Sequence, residues 1–342
     1  MKFLKFIKRS LFWKHFLIYF VKPFLVFFWK NLINFKGRIL YFLWFLKKRN
    51  FIKLNIQGTK LIKDNVQLTN LANEVFNSIS GQITDNAKSS ILYSKNEELN
   101  QSNSGDDKYT IDIYSKLDQR IKDKIFNFAS SDLMISTAAK YLGIFPILSN
   151  IILNYNIPRK PDKIRGAMLW HKDDLGFKSL DLFLCITNLN DDNGPLYVSK
   201  ANNNLGVLSR VDSFIKNPIR GERQKIDLDQ FDFYNANNEQ IKLEGKKGTA
   251  LLVDSISNYH RGGNCKNKDR LMLRVSYQGI DYIPLKKIIN EKLSFDPSMN
   301  KDNHKNIFKK YFLYKRSFIF NTRVKYFLVN FYNIICYKVS KI

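Results

Sequence analysis

Apolar residues at helical spacing predict three helices in the first half of the chain. Between residues 61 and 80, the apolar residues Leu68, Leu71 and Val75 fall on one side of a helix, with Val66 and Phe76 before and after them. The same pattern covers residues 117–128 and residues 131–142. The last of these segments runs into Gly143, a residue type that commonly ends helices. The polar, Asn- and Ser-rich residues 94–108 predict a loop.

The pattern changes to short apolar runs between residues 164 and 283, after an apolar, β-branched stretch at residues 144–156 that begins the strands. Turn signals such as NDDNGP and EGKKG separate the runs, with no convincing helix between them. The runs cover residues 180–187, 195–198, 249–253 and 271–277. This spacing favours an antiparallel barrel or jelly roll over β-α-β units, so we predict a mainly β fold with flanking helices (α+β). The polar, irregular residues 209–244 predict a lid or binding loop.

The basic residues are concentrated at the two ends of the chain. The 342 residues include 56 Lys and Arg and 30 Asp and Glu, a formal net charge of +26. Residues 1–60 hold 14 of the basic residues and residues 303–342 hold 9, and neither segment contains an acid. The remaining 242 residues carry 33 basic and 30 acidic side chains. We therefore predict a basic aromatic extension over residues 1–60, a domain over residues 61–300, and a second extension over residues 301–342.

Both extensions combine basic residues with aromatic and aliphatic bulk, which is typical of helices that lie in a membrane interface. Charged residues interrupt the first extension so often that no run approaches the ~18 apolar residues of a spanning helix. We therefore predict helical extensions on a cytoplasmic protein that contacts anionic lipid peripherally, on the inner face of the membrane. The alternative is that these faces pack on the protein's own body. Nucleic acid is a less favoured partner, because the basic residues are interleaved with Phe, Leu, Ile and Trp.

The three cysteines, Cys185, Cys265 and Cys336, are an odd number without metal-type spacing. They indicate no disulfide framework and fit a reducing compartment. Cys185 lies in an apolar run and is predicted to be a core residue.

Two histidines and one carboxylate are the candidate metal ligands. His171 and Asp173 are separated by one residue, and residues two apart on a strand point to the same face. Of the four histidines, His171 and His260 fall within the strand-rich region. Two His and one carboxylate with open positions form the ligand set of non-haem Fe(II) oxygenases. Asp174 is the nearest rival carboxylate, but on a strand it would face away from His171.

Arg270 is the first candidate for binding a dicarboxylate cosubstrate. It follows His260 by ten residues and opens the apolar run RLMLRVSY. A guanidinium suits this role because its fork of donors matches a carboxylate at two points. Arg274 shares the same strand face and is the second candidate. The alternative for either residue is an ordinary surface charge on a strand.

Taken together, these motifs resemble the phytanoyl-CoA dioxygenase-like family of Fe(II)/2-oxoglutarate oxygenases. The matching text is WHKDDLGFKSLDLFLCITNLNDDNGPLYV, followed by KKGTALLVDSISNYHRGGNCKNKDRLMLRVSYQ. The His-x-Asp, the NGP turn with its strand, the H-R-G and the later Arg occur in the family's order. The resemblance covers about residues 61–283. One departure is the stretch 199–203, Ser-Lys-Ala-Asn-Asn, where the family often has Gly-Ser-His.

The resemblance implies a double-stranded β-helix, a cupin-like jelly roll, in which His171, Asp173 and His260 hold Fe(II). It implies that Arg270 grips the far carboxylate of 2-oxoglutarate, and that O2 is the second cosubstrate. Oxidative decarboxylation would give succinate and CO2 and would be coupled to hydroxylation of a C–H bond. Related halogenases lack the metal-binding carboxylate, so the presence of Asp173 favours hydroxylation.

Three hypotheses follow for the function of the whole chain. The first is a hydroxylase at the membrane surface that acts on a lipid, glycolipid or cell-envelope precursor, with a soluble small molecule as the other substrate class. The second is a non-catalytic β-barrel that binds a ligand or partner at the membrane surface. The third, the nucleic-acid binder, is suggested only by the net charge of +26.

Overall fold

A computed structural model gives the positions of the residues that form the two sheets and the helices packed on them. The residues it describes are 34–56, 58–80, 110–156, 158, 166–173, 178–199, 225–226 and 240–279. The predictions for residues 1–33, Asp174, the loop at 94–108 and the extension at 301–342 lie outside these residues.

Four α-helices are present in the described residues; three were predicted from the spacing of apolar residues, and α1 lies in the extension that was predicted to be helical. They are α1 (Phe35–Phe45), α2 (Val66–Ser80), α3 (Gln119–Ala129) and α4 (Asp132–Leu142). The Ser131 hydroxyl accepts a hydrogen bond from the Met134 N–H at the start of α4. Gly143 ends α4 in the left-handed conformation with φ of 71°, as the sequence predicted.

Eleven β-strands are present in the same residues. They are β1 (Thr59–Ile62), β2 (Thr110–Asp112), β3 (Ile147–Asn156), β4 (Trp170–His171), β5 (Ser179–Cys185), β6 (Leu196–Ser199), β7 (Lys225–Ile226), β8 (Gln240–Leu243), β9 (Ala250–Val253), β10 (His260–Gly262) and β11 (Arg270–Gln278). The four predicted apolar runs are confirmed as β5, β6, β9 and β11.

Two boundary predictions were wrong. The first predicted helix was placed from residue 61, but Leu61 and Ile62 belong to β1, where Leu61 lies opposite Leu251 of β9. The helix begins only at Val66. The residue before it, Asn65, caps this end, because its side-chain oxygen accepts a hydrogen bond from the Leu68 N–H. The irregular segment predicted over residues 209–244 includes β8 at its end, where cross-strand pairing with β6 imposes extended structure on a polar sequence.

The strands form two antiparallel sheets. The six-stranded sheet has the order β1-β9-β5-β11-β3-β2, and the five-stranded sheet has the order β7-β4-β10-β6-β8. From β3 to β6 and again from β8 to β11, successive strands alternate between the sheets. A mainly β fold with flanking helices is therefore present. The four strands β4, β10, β6 and β8 lie together and carry both candidate histidines.

Two buried apolar clusters lie on opposite faces of the six-stranded sheet. Along β5, Leu180, Leu182 and Leu184 face one cluster, which also contains residues of all four helices. Phe183 and Cys185 face the other cluster, together with Val198 of the five-stranded sheet. The period of two on β5 therefore directs alternate side chains toward the helices and toward the space between the sheets. Cys185 is fully buried, as predicted.

Helix α1 lies within the predicted N-terminal extension and packs on the domain through one face. Leu40 and Trp44 are buried in the helix-side cluster, and the Trp44 indole N–H donates to the Ser136 hydroxyl at 2.8 Å. The opposite face leaves Phe35 and Phe42 exposed. The division of the chain at residue 60 stays a prediction. Among the described residues, none of the helices is both long and apolar enough to cross a bilayer.

Candidate metal centre

The two candidate histidines lie directly opposite each other on neighbouring strands. His260 of β10 pairs in register with His171 of β4, and the antiparallel pairing places both rings on the same face. Their ring centroids are 4.3 Å apart, with planes tilted by 53°. His171 is only 4% exposed and His260 only 3%, so the imidazoles line a buried site.

Asp173 completes the cluster from the segment just after β4. Its backbone N–H donates to the Ser255 carbonyl at 3.0 Å, which holds the chain extended beyond the two-residue strand. Its Oδ1 lies 4.0 Å from Nε2 of His171 and 3.9 Å from Nε2 of His260. One ligand atom from each of the three side chains lies within 4.8 Å of the others. The structure therefore brings together the three residues that the sequence singled out.

Backbone carbonyls fix the orientation of both imidazoles. His171 Nδ1 lies 2.8 Å from the Leu169 carbonyl, and His260 Nδ1 lies 3.2 Å from the Asn258 carbonyl. Since a carbonyl can only accept, we assign the ring proton of each neutral imidazole to Nδ1. The Nε2 lone pairs then lie on the side of Asp173. This tautomer leaves Nε2 of each histidine free to bind a metal ion.

The geometry and the charge of the cluster fit a divalent metal ion. Nitrogen and oxygen ligands bind such an ion at about 2.0–2.2 Å, so two ligands of one ion lie at most about 4.4 Å apart. Both separations from Asp173 Oδ1 fall within that limit. The half-buried carboxylate of Asp173 and the buried carboxylate of Asp181 share a single guanidinium, that of Arg274, so these three side chains carry one net negative charge. A divalent cation would offset this charge.

Neighbouring groups keep the Asp173 carboxylate ionised. Burial by itself would raise the pKa of Asp173, but the positive charge of Arg274 and its hydrogen bond to the carboxylate outweigh burial and hold this pKa well below its usual range. The Arg274 Nη2 donates to Asp173 Oδ2 at 2.5 Å. Asp173 is therefore ionised near neutral pH, with Oδ1 directed toward the histidines.

Arg270, the first candidate for the cosubstrate, is buried among neutral groups. It is 5% exposed, its Nε donates to the Asn156 Oδ1 at 3.2 Å, and its Nη1 donates to the carbonyls of Gly194 and Gly263. Among the residues that the structure describes, no carboxylate forms an ion pair with Arg270. A buried cation without a counter-charge is costly, so this position favours an anionic ligand.

The two glycine turns of the sequence motifs contact each other beside Arg270. Gly194 has φ of 66°, and a Cβ there would lie 2.5 Å from backbone atoms of Gly263 and Asn264. The Gly263 N–H donates to the Pro195 carbonyl at 2.7 Å. The NGP and HRGG turns therefore pack backbone against backbone, and this contact directs two carbonyls at Arg270.

Arg274, the second candidate, lies between two acids instead. Besides Asp173, it contacts Asp181, whose Oδ1 accepts from Arg274 Nε at 3.0 Å. The sequence analysis missed Asp181, although a lone acid within the apolar run SLDLFLC was an available signal. Trp170 is buried, and Lys172 Nζ lies 4.4 Å from the centroid of the Tyr259 ring.

Comparison of the sequence with known proteins gives no relative. No protein-family model matches the chain, and no curated protein matches it. The phytanoyl-CoA dioxygenase-like resemblance of the motifs therefore stays a prediction.

Comparison of the structure with solved structures gives distant likenesses, each at low sequence identity and a low TM-score. EctD from S. alaskensis, solved with 2-oxoglutarate and 5-hydroxyectoine, is 14% identical, with a TM-score of 0.41 over 66% of this chain and 73% of that chain. AviO1 from Streptomyces viridochromogenes Tue57 is 14% identical, with a TM-score of 0.40 over 67% and 92%. The non-heme alpha ketoglutarate dependent carbocyclase SnoK from nogalamycin biosynthesis is 13% identical, with a TM-score of 0.37 over 65% and 79%.

Proposed function

We propose that this protein is an Fe(II)- and 2-oxoglutarate-dependent dioxygenase that hydroxylates an organic substrate. The observation that carries the proposal is the convergence of His171 Nε2, His260 Nε2 and Asp173 Oδ1 within one buried cluster. Two imidazoles and one carboxylate that leave other positions open form the ligand set of non-haem Fe(II) oxygenases. The fixed imidazole tautomers and the ionised carboxylate support the same assignment.

Each residue of the site has a role in this proposal. His171, Asp173 and His260 would hold the ferrous ion. The Arg270 guanidinium would bind the far carboxylate of 2-oxoglutarate and orient the cosubstrate. Together with its cosubstrates, the bound iron would supply oxidative decarboxylation of 2-oxoglutarate to succinate and CO2, coupled to insertion of one oxygen atom of O2 into a substrate C–H bond. The presence of Asp173 supports hydroxylation rather than halogenation.

The proposal includes a double-stranded β-helix as the scaffold of the site. The eight strands from β3 to β11, without β7, are shared between two antiparallel sheets in the orders β9-β5-β11-β3 and β4-β10-β6-β8. This interleaving is what a rolled pair of sheets requires, because consecutive strands must cross from one sheet to the other. Such a scaffold would hold the metal ligands on rigid strands.

We also propose that α1 contacts an anionic membrane surface and that the substrate is a lipid or cell-envelope precursor. The exposed face of α1 presents Phe35, Phe42 and Leu46, which are 63%, 64% and 60% exposed. Arg38 and Lys47 are exposed beside them. Apolar side chains flanked by basic ones suit the boundary between lipid headgroups and acyl chains. A soluble small molecule is the substrate class if this contact fails.

The activity test uses purified protein loaded anaerobically with Fe(II) and 2-oxoglutarate and then exposed to O2. Fractionated lipids and soluble metabolites are supplied as substrates, with succinate release and a product heavier by one oxygen atom as readouts. His171→Ala should abolish both signals. Lys172→Ala is the matched control, because this neighbouring side chain lies over Tyr259 and should leave both signals intact. Metal binding without succinate from any fraction would favour the non-catalytic binder.

A further inference from the structure

Arg274 occupies the oxygen of Asp173 that does not face the histidines. Its Nη2 donates to Asp173 Oδ2 at 2.5 Å, whereas Oδ1 of the same carboxylate lies 4.0 Å and 3.9 Å from the two imidazole nitrogens. A carboxylate can otherwise bind a metal ion through one oxygen or both. The ion pair with Arg274 leaves one oxygen for the cluster and fixes the rotation of the carboxylate.

Asp181 holds Arg274 in this position from the other side. The carboxylate of Asp181 is fully buried, and its Oδ1 accepts from Arg274 Nε at 3.0 Å and from the Ser276 hydroxyl. Its Oδ2 accepts from the hydroxyls of Ser179, at 3.1 Å, and Ser255. Four donors therefore fix Asp181. The strand register accounts for one of them, because Ser276 lies directly opposite Asp181 on β11.

Ser255 connects the two ends of this network. Its hydroxyl donates to Asp181, while its carbonyl accepts the backbone N–H of Asp173 at 3.0 Å. Ser255 therefore holds the backbone of Asp173 directly, and it also bonds to Asp181, which holds the Arg274 that contacts the Asp173 side chain. The Arg274 guanidinium also lies 5.2 Å from the centroid of the Phe183 ring, which packs beside it in the space between the sheets.

We propose that Arg274 is a positioning residue that makes Asp173 a one-oxygen metal ligand, and that Asp181 is the anchor of this arrangement. The proposal rests on the metal centre of the proposed function. It also gives the two arginines different roles. Arg274 is already shared by two carboxylates, whereas among the described residues Arg270 has no carboxylate partner. Arg274 then governs metal binding, and Arg270 alone binds the cosubstrate.

The test measures two affinities separately in the full-length protein. The first is the affinity of the metal-free protein for Mn(II), used as a non-reactive substitute for Fe(II). The second is the affinity of the Mn(II)-saturated protein for 2-oxoglutarate. Arg274→Lys keeps the charge but cannot reach Asp173 Oδ2 and Asp181 Oδ1 with the same fork. We expect it to weaken Mn(II) binding by about 10–100-fold and to change 2-oxoglutarate binding by less than about 3-fold.

Arg270→Lys is the matched variant on the same strand face. It should leave Mn(II) affinity within about 3-fold of the wild type and weaken 2-oxoglutarate binding by at least about 10-fold, because the two-point match to the carboxylate is lost. Unchanged Mn(II) affinity in Arg274→Lys, or a loss of 2-oxoglutarate affinity there as large as in Arg270→Lys, would overturn the proposal.

A double variant guards against loss of folding. Arg274→Met with Asp181→Asn removes the cation together with one of its two anions, so the net charge of the three side chains is unchanged and Asp181 is not left as a fully buried charge without a partner. Folded protein with weakened Mn(II) binding supports the positioning role, and folded protein with wild-type Mn(II) affinity contradicts it. Failure of the proposed function has a different signature: wild-type protein would then bind no Mn(II), or would bind it equally well after His171→Ala.

Discussion

His171 and His260 are direct partners across β4 and β10, although 88 residues separate them in the chain. A single cross-strand pair therefore supplies both imidazoles of the candidate metal centre. The backbone carbonyl two residues before each histidine orients its ring: Leu169 for His171 and Asn258 for His260. Both imidazoles are held on paired strands, so the distance between them depends on the sheet register rather than on the conformation of a loop.

Metal binding is expected to stabilise the folded protein, and His260→Ala should remove that effect. A ligand that binds only the folded state at 100 times its dissociation constant raises the free energy of unfolding by about 2.7 kcal/mol. We expect this gain when Mn(II) is added to chelator-treated protein, measured by urea unfolding under anaerobic conditions. Lys172→Ala, the control, should retain the full gain. Equal stabilisation of His260→Ala and wild type would remove His260 from the ligand set.

Asp173 gives the stability of the metal-free protein a pH dependence of known sign. Its pKa in the folded state lies below that of the unfolded chain, which is about 3.9. Its ionised form therefore stabilises the fold at pH values above about 4, and this contribution is lost as the pH falls further. We expect the unfolding free energy of wild type to exceed that of Asp173→Asn by a margin that shrinks below about pH 4. Urea unfolding at successive pH values measures the margin, and one that widened on acidification would contradict the ion pair with Arg274.

The His-x-Asp spacing predicted the relation between His171 and Asp173 because it depends only on the alternation of an extended chain. His260 was predicted to join them because it is the other histidine of the strand-rich region. The register that pairs it with His171 could not be predicted from the sequence alone. Strands as short as β4 and β10 contain too few residues for a periodic pattern. Cross-strand hydrogen bonding, a long-range property, determines where they form.

The roles of the two arginines could be predicted only in part. Both lie on one face of β11, as the period of two implies. The difference between them comes from partners on other strands: Asp181 on β5 for Arg274, and the glycine turns for Arg270. Asp181 was missed because three of its four partners lie on β11 or after β9, and no local pattern connects these segments to β5.

Gly194 is expected to be far less tolerant of substitution than Gly143. Both have left-handed φ values, of 66° and 71° respectively, so replacement by Ala costs about 1 kcal/mol of backbone strain at either position. At Gly143 nothing lies within 4 Å of the added Cβ, whereas at Gly194 backbone atoms of Asn264 lie 2.5 Å away. We expect Gly194→Ala to lose at least about 2 kcal/mol more than Gly143→Ala in urea unfolding. Equal losses would show that the two turns around Arg270 can move apart.

The exposed face of α1 should determine binding to anionic vesicles. Burying Phe42 or Leu46 in the interface is worth about 1.5–3 kcal/mol each, so Phe42→Gln with Leu46→Gln should weaken binding by more than 10-fold. The control is Val66→Gln on α2, which removes a side chain that is 71% exposed outside α1. Co-sedimentation with vesicles of mixed neutral and anionic lipid, at low and high salt, measures the effect. Binding should fall with added salt, because Arg38 and Lys47 interact electrostatically with the headgroups. If the wild-type protein ignores these vesicles at low salt, the membrane contact is excluded and a soluble substrate becomes the better proposal.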